Sequence, residues 1–267
     1  MASAIVLHFH PGWAHGEGAV IDAIAADGAY RSQWVTASSN GGLTARPGGD
    51  RWRWESRLFG GRYDDGSAED RPVYGAWNRR KDTYGASPRF GSAYLRLHPE
   101  IVSRATFCWP DSVYEPTAFG EQERLAELCA LADAGLLDRA LLPDNAVGLP
   151  LEDPLNDYVE AHVHGGVLLD RDVAAVVVDP TDAEEHRQAL DLLPCPVEVH
   201  PGYRVDAAGI DPTYRGDVPV DLARRLGGEV TPARLAVAQR SGEHDPQAVK
   251  WLWHCLARFG RSAPATG

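Results

Sequence analysis

Lysine is almost absent from this chain of 267 residues; only Lys81 and Lys250 occur. Nearly all of its positive charge is therefore arginine, the better fork for phosphate or carboxylate. Cysteine is also scarce. Cys108, Cys129, Cys195 and Cys255 stand far apart with no CxxC pair, which argues against a disulfide frame or a cysteine-rich zinc cage and suits a cytoplasmic protein. No apolar run approaches the roughly 20 residues of a membrane-spanning helix. The first residues, MASAIVLHFHP, have neither a basic stretch nor a long apolar one, so no secretory signal is expected. There is no GxSxG elbow, HExxH helix, EF-hand loop, P-loop or GxGxxG turn after a strand, and no repeat of 20–50 residues.

What is present is ordinary for a globular protein: 44% hydrophobic and 24% charged residues, in a chain long enough for one large domain or two small ones. The net charge of -12 makes it a poor general binder of polyanions. The charge is uneven. Residues 46–104 hold 12 basic and 8 acidic side chains, whereas residues 105–267 hold 13 and 27.

Periodicity predicts a short buried strand over Ala4–His10, a helix over 17–27 stopped by Gly28, and a second strand over Ala29–Val35. The run TASSNGGLTARPGGD has the composition of a functional loop. RWRWE alternates and is expected as a strand, with Trp52 and Trp54 on one face. Residues 60–91 show no clean period. Strands are expected at Ser92–Leu97 and Ala105–Trp109, and a helix at 121–134 closed by Gly135. Tyr158–His164 reads as a strand with Val159, Ala161 and Val163 on one face and Tyr158, Glu160, His162 and His164 on the other. Further strands are expected at 167–169, 173–178 and 196–200. Thr181 and Glu184 suggest a capping box, and the remainder is mostly helical, with Thr231-Pro232 and Asp245-Pro246 as helix starts. Strands and helices do not alternate regularly, which indicates an α+β fold.

Several constellations could carry chemistry. His8 and His10 project to one side of the first strand, as a metal hydrolase would need, and His200 could join them. They could equally be polar residues lining a cleft. Glu160, set between apolar neighbours, needs a polar cavity or a partner. Tyr30-Arg31-Ser32-Gln33 and Ser38-Ser39-Asn40-Gly41-Gly42 offer an arginine, hydroxyls and backbone amides that suit a pyrophosphate. Six of the eight tryptophans lie in the first 109 residues, where they could stack on a base or fill a core. Glu55 and Glu198 are competing carboxylates, Glu55 being placed beside arginines as an ion-pair partner.

The segments LHFHPG, YRSQ, SNGGLTARPGGDRWRWESRLFGG, RPVYGAWN, PRFGSAYLRL, TFCWPDS and YVEAHVHGGVLLDRDV, in this order over about residues 4–205, resemble a bacterial family known as a domain of unknown function. That family is distantly similar to the ADP-ribosyltransferases. The resemblance implies a split β-sheet cleft with flanking helices over residues 1–205; the mostly helical remainder, 206–267, is then expected as a C-terminal extension packed on it. It implies NAD as substrate without a metal, and Glu160 as the catalytic carboxylate. Arg31, or His8 and His10, would take the role of the first strand, and the region of Ser38 or Ser92 that of the second. Ser32, Asn40, Gly41 and His162 would complete the dinucleotide site. No Ser-Thr-Ser triplet is present, and Tyr158 stands where some subclasses carry Glu or Gln, so the acceptor (protein, nucleic acid or small molecule) stays open. The other readings are a metal-dependent hydrolase using His8, His10 and His200, and a nucleotide-binding module without turnover.

Overall fold

A computed structural model of the chain describes residues 3–36, 45–135 and 153–262. Eight strands form one sheet: β1 (Ile5–Phe9), β2 (Val73–Trp77), β3 (Ala93–Leu97), β4 (Ala105–Trp109), β5 (Ala118–Gly120), β6 (Val159–Val163), β7 (Val173–Val178) and β8 (Val197–Val199). Their order across the sheet is β8-β7-β3-β1-β2-β6-β4-β5. Every pair is antiparallel except β7 with β8. The principal helices are α1 (Val20–Asp27), α2 (Asp50–Leu58), α3 (Leu125–Asp133), α4 (Pro180–Glu185), α5 (Asp217–Arg225), α6 (Pro232–Ser241) and α7 (Pro246–Phe259). The fold is mixed α+β, as expected from the irregular order of elements.

One face of the sheet is apolar. Ile5, Leu7 and Phe9, Ala93, Leu95 and Leu97, Ala105 and Phe107, and Val159, Ala161 and Val163 pack there against Ile21 and Ile24 of α1 and Leu125 and Leu128 of α3. The other face carries the alternate residues, among them His8, Tyr74, Thr106, Cys108, Glu160 and His162. A second apolar cluster joins Tyr84, Leu155, Tyr203 and Val205 to Val220, Leu222, Leu235, Leu252, Trp253 and Leu256 of α5, α6 and α7. The starts of α6 and α7 are those expected: Thr231 Oγ1 accepts from the Arg234 N–H and Asp245 Oδ1 from the Gln247 N–H, each with proline at the first helical position.

Three sequence expectations need correction, and one stretch without a period gains a strand. RWRWE lies inside α2, not in a strand. A helical period places Arg51, Trp54 and Glu55 together on the buried side, and the two-residue alternation is coincidental. Of Ala29–Val35 only Ala29–Tyr30 pairs as a strand, with Val167–Leu168, and Gln33–Thr36 is a helical turn. The cap of α4 is Asp179, whose Oδ1 accepts from the Thr181 N–H at 2.8 Å, so Thr181 lies inside the helix. Lastly, the stretch 60–91, which has no clean period, contains β2.

The pairing of β1 with β2 positions the site. Only Ile5 with Trp77 and Val6 with Ala76 are in register. Beyond them β1 continues along β3 as far as Phe9 with Ala93, and β2 continues along β6 as far as Val73 with Val163. The sheet therefore splits between His8–His10 and Val73–Gly75. Gly75 sits at the fork; a Cβ there would lie 2.4 Å from Leu7 Cδ2 and 2.6 Å from the Val6 carbonyl oxygen.

Candidate active site

The split opens into a cavity of about 470 Å³, within the usual range for small-molecule sites. His8, His10 and the Trp13 ring line one lip, and Val73, Tyr74 and Gly75 the other. Glu160, Tyr158, Asp111 and Ser112 contribute further wall, Arg51 enters from α2, and Tyr30, Arg31 and Ser32 reach it from the segment after α1.

Glu160 is buried on the polar face, where the split strand pattern of YVEAHVH puts it. Its Oε1 is held on three sides. The Ser112 N–H donates at 3.3 Å, His162 Nε2 lies at 2.9 Å and Cys108 Sγ at 3.8 Å. No described residue donates to Oε2. Behind His162 runs a chain of polar contacts. His162 Nδ1 meets Thr106 Oγ1 at 3.1 Å, Thr106 Oγ1 meets His164 Nε2 at 3.1 Å, and the Tyr63 hydroxyl meets His164 Nδ1 at 2.5 Å. Thr106 has one proton, so one imidazole accepts from it and the other donates to it. With Glu160 ionised, the consistent arrangement has each group donating toward Oε1.

Arg51 is the buried cation of the cavity, 3% exposed. Its guanidinium carbon lies 4.2 Å from the centre of the Tyr74 ring, and Nε and Nη1 have no hydrogen-bond partner. Burial works against its charge, but the facing Tyr74 hydroxyl and Glu160 more than offset this, so its pKa is raised. Asp111 is pushed up to about 6 by burial and by the nearby Glu160 charge, and it accepts a hydrogen bond from the Tyr158 hydroxyl. Burial also pushes His8 and His10 down to about 3, so both imidazoles are neutral at pH 7.

The residues expected from the sequence fall into three groups. Glu160, His8, His10, Arg31 and Ser32 line the cavity together. Of these, Arg31 is at the rim, its side chain 44% exposed and paired with Asp27 at 3.0 Å, and Ser32 Oγ is spent on the Ala68 carbonyl. Two others lie outside the cavity wall. His162 is fully buried behind Glu160. Ser92 donates its hydroxyl to Asp182 Oδ2 at 2.7 Å, deep beside β3. Ser38, Asn40 and Gly41 lie outside the described residues.

The alternative histidine metal centre does not form. His8 Nδ1 is 3.0 Å from the Gly91 carbonyl oxygen and its Nε2 accepts from the Ser87 N–H. His200 uses Nε2 on the Ser92 carbonyl and Nδ1 on the Gly202 N–H, leaving neither ring a free lone pair. His10 is stacked on Trp13 at 3.9 Å. The competing carboxylates are committed elsewhere. Glu55 makes a buried ion pair with Arg71 at 2.6 Å and accepts from Trp34 Nε1 and the Tyr74 hydroxyl, the structural role its arginine neighbours suggest. Glu198 pairs with Arg96 through both oxygens at the sheet edge. Arg51 escapes a reading of the sequence as a site residue, because a strand period fits the start of α2; Tyr74, one of the aromatics near the tryptophans that could stack on a base, does line the cavity.

Together these features define an α+β protein with a split sheet, a carboxylate at the back of the split and, in the wall of the same cavity, a buried guanidinium two of whose nitrogens have no partner. The chain belongs to the family described as protein of unknown function (DUF3626), whose profile matches residues 4–150 and 135–259. No curated protein matches it. Among solved structures it is similar to Thermus sp. 2.9 DarT in complex with NAD+ and in complex with carba-NAD+, each at 15% identity and a TM-score of 0.40, over 74% of this chain and 94% of that one. Thermus sp. 2.9 DarT in complex with ADP-ribosylated ssDNA is similar at 14% identity, with the same TM-score, over 74% of this chain and 93% of that one. Likeness at this level assigns no activity to this chain. No helix among the described residues is long and apolar enough to cross a membrane.

Proposed function

We propose that the protein binds NAD in the split of its sheet and cleaves the nicotinamide–ribose bond, passing ADP-ribose to an acceptor or to water. One observation carries the reading. Glu160, whose Oε2 takes no hydrogen bond from a described residue, and buried Arg51, whose Nε and Nη1 have no partner, line one cavity walled by Trp13, Tyr30, Tyr74 and Tyr158. An unsatisfied buried guanidinium costs stability unless a ligand completes its bonds. A phosphate group does so with paired, charge-assisted contacts. The aromatic walls suit flat rings, and the neutral imidazoles of His8 and His10 add no charge to repel a cationic one.

The substrate supplies a glycosidic bond whose cleavage passes through an oxocarbenium-like state. Glu160 then has two tasks. Its free oxygen accepts a ribose hydroxyl, and its charge faces the positive charge that grows at the sugar. Ser112 and His162 fix the carboxylate before the reaction, so no reorganisation is needed at the moment of bond breaking. Arg51 holds the phosphates, with Arg31 at the rim and Ser32, His8 and His10 lining the approach. In this reading residues 1–205 form the catalytic domain and 206–267 a helical extension packed on it. Calorimetric titration with NAD and assay of released nicotinamide test it together. Binding with turnover is expected. Binding without turnover, with or without acceptors, would leave a nucleotide-binding module.

A further inference from the structure

We propose that Cys108, Glu160 and His162 form a site for a borderline-soft divalent cation, zinc above all, and that an ion bound there silences the cleft. The silencing rests on the reading of Glu160 as the catalytic carboxylate; the binding does not. The three side chains come from neighbouring positions of two paired strands, Cys108 of β4 opposite Glu160 of β6, and Thr106 of β4 opposite His162. Their ligand atoms form a closed triangle. His162 Nε2 is 2.9 Å from Glu160 Oε1, Cys108 Sγ is 3.8 Å from that oxygen, and Cys108 Sγ is 3.9 Å from Nε2. A triangle of those edges holds a point about 2.1 Å from every corner, the length of zinc bonds to nitrogen and oxygen and close to that to sulfur. It is the one group of three or more His, Cys, Asp or Glu ligands among the described residues whose donor atoms converge in this way.

The donor set selects the ion. One thiolate, one imidazole and one carboxylate favour zinc over calcium or magnesium, which take oxygen ligands. The supporting contacts are in place as well. For the metal the relay reverses: His162 and His164 each exchange their ring proton for the other tautomer, Thr106 Oγ1 then accepts from His162 Nδ1 and donates to His164 Nε2, the His162 Nε2 lone pair turns to the ion, and the Ser112 N–H holds the Glu160 oxygen. Glu160 lines the cavity, which provides the entry path and a water for the fourth position. On binding, the Cys108 thiol proton leaves to solvent, a sulfur–metal bond forms, and the Glu160 charge is spent on the ion. The carboxylate can then no longer face a growing positive charge at the sugar.

The test uses the full chain, stripped with a chelator and titrated with zinc and with cobalt(II). Wild type is expected to bind one equivalent of zinc and to show the thiolate-to-cobalt charge-transfer band. Cys108→Ala should bind at least tenfold more weakly and lose the band. Cys129→Ser, which removes the partly exposed thiol, should keep it. Calcium and magnesium should not compete. Equal zinc affinity in wild type and Cys108→Ala, or loss of the band in Cys129→Ser instead, overturns the site. Nicotinamide release is then measured with and without zinc. Suppression in wild type, reversed by chelator and absent in Cys108→Ala, supports the silencing; turnover that requires zinc overturns it. If zinc binds as described but the metal-free chain releases no nicotinamide, the cation site stands and the NAD reading falls.

Discussion

Methionine at position 51 keeps the length and much of the volume of the arginine while removing its charge and its donors. In the ligand-free protein two of those donors, Nε and Nη1, are buried without partners, and each such group costs about 1–3 kcal/mol. The stacking on Tyr74 at 4.2 Å returns about 0.5–2 kcal/mol, and the attraction to Glu160 adds a further favourable term. The two penalties, about 2–6 kcal/mol together, outweigh the stacking, and the attraction to Glu160 narrows the difference, so Arg51→Met should be neutral or stabilising by up to about 2 kcal/mol, a few degrees in Tm. Arg71 is the control. It is equally buried, yet its guanidinium is spent on Glu55 at 2.6 Å and on the Tyr63 carbonyl at 2.7 Å. Arg71→Met strands the Glu55 charge and should cost about 3–5 kcal/mol. Binding should behave in the opposite way, with Arg51→Met weakening NAD by about 1.5–3 kcal/mol, one or two decades in Kd, for the lost charge-assisted bonds. Thermal unfolding and calorimetric titration of both variants decide the matter. A strongly destabilised Arg51→Met that still binds NAD as wild type does would make Arg51 a structural residue and refute the reasoning.

Gly75→Ala should destabilise by about 1–3 kcal/mol by overpacking, because its Cβ would meet Leu7 and the Val6 carbonyl at the fork; chemical denaturation measures this, and an unchanged midpoint would mean the strands part freely. Stability should fall as pH drops from 6 to 5. His8 and His10 (to about 3), His164 (to about 4) and His254 (to about 2) are all depressed by burial, so the unfolded chain takes up protons there that the folded one refuses. Asp111 (about 6) and Asp182 (about 7) are raised by burial and oppose this, since their contribution is present at low pH and lost as pH rises through those values. Burial lowers His186 and His200 as well, so the histidines outnumber the two carboxyls by at least two protons, or roughly 3 kcal/mol per pH unit or more, which denaturant titrations at several pH values would check; a flat profile contradicts the burial of the histidines. Thr106→Val removes the hydroxyl that joins His162 to His164. It should lower kcat for nicotinamide release about tenfold and shift its pH profile with KM little changed, and Thr106→Ser should restore both; equal loss in Thr106→Ser would indicate a packing role.

The strand carrying Glu160 is legible in the sequence because its alternation is local. Val159, Ala161 and Val163 face the core, and the polar residues between them have to face something polar. The helix starts at Thr231-Pro232 and Asp245-Pro246 are legible for the same reason, each being a hydrogen bond within three residues, whereas at Asp179-Pro180 the nearby Thr181 and Glu184 imitate a cap two residues late. What escapes is non-local. The fork of the sheet depends on two registers between residues some 70 positions apart in the chain, and nothing in IVLHF or VYGAW announces where their pairing stops. Gly75 breaks the alternation of β2 and so hides the strand. The alternation of RWRWE matches a strand for five residues and hides a helix of nine, and with it Arg51. Arg31 follows a strand-like run, yet that run ends at Tyr30 and leaves Arg31 at the rim with Asp27.

The central claim is that Glu160 opposes positive charge at the sugar. Glu160→Gln tests it most directly, since glutamine keeps the shape and can still take the bond from Ser112 and meet a ribose hydroxyl. Nicotinamide release and NAD affinity should be measured side by side in wild type, Glu160→Gln, Glu55→Gln and Glu198→Gln. Glu160→Gln should show nearly unchanged affinity with kcat lowered about 10²–10³-fold. Glu198→Gln should keep wild-type turnover, and Glu55→Gln should lose activity only as far as it loses stability. Wild-type turnover in Glu160→Gln would contradict the claim.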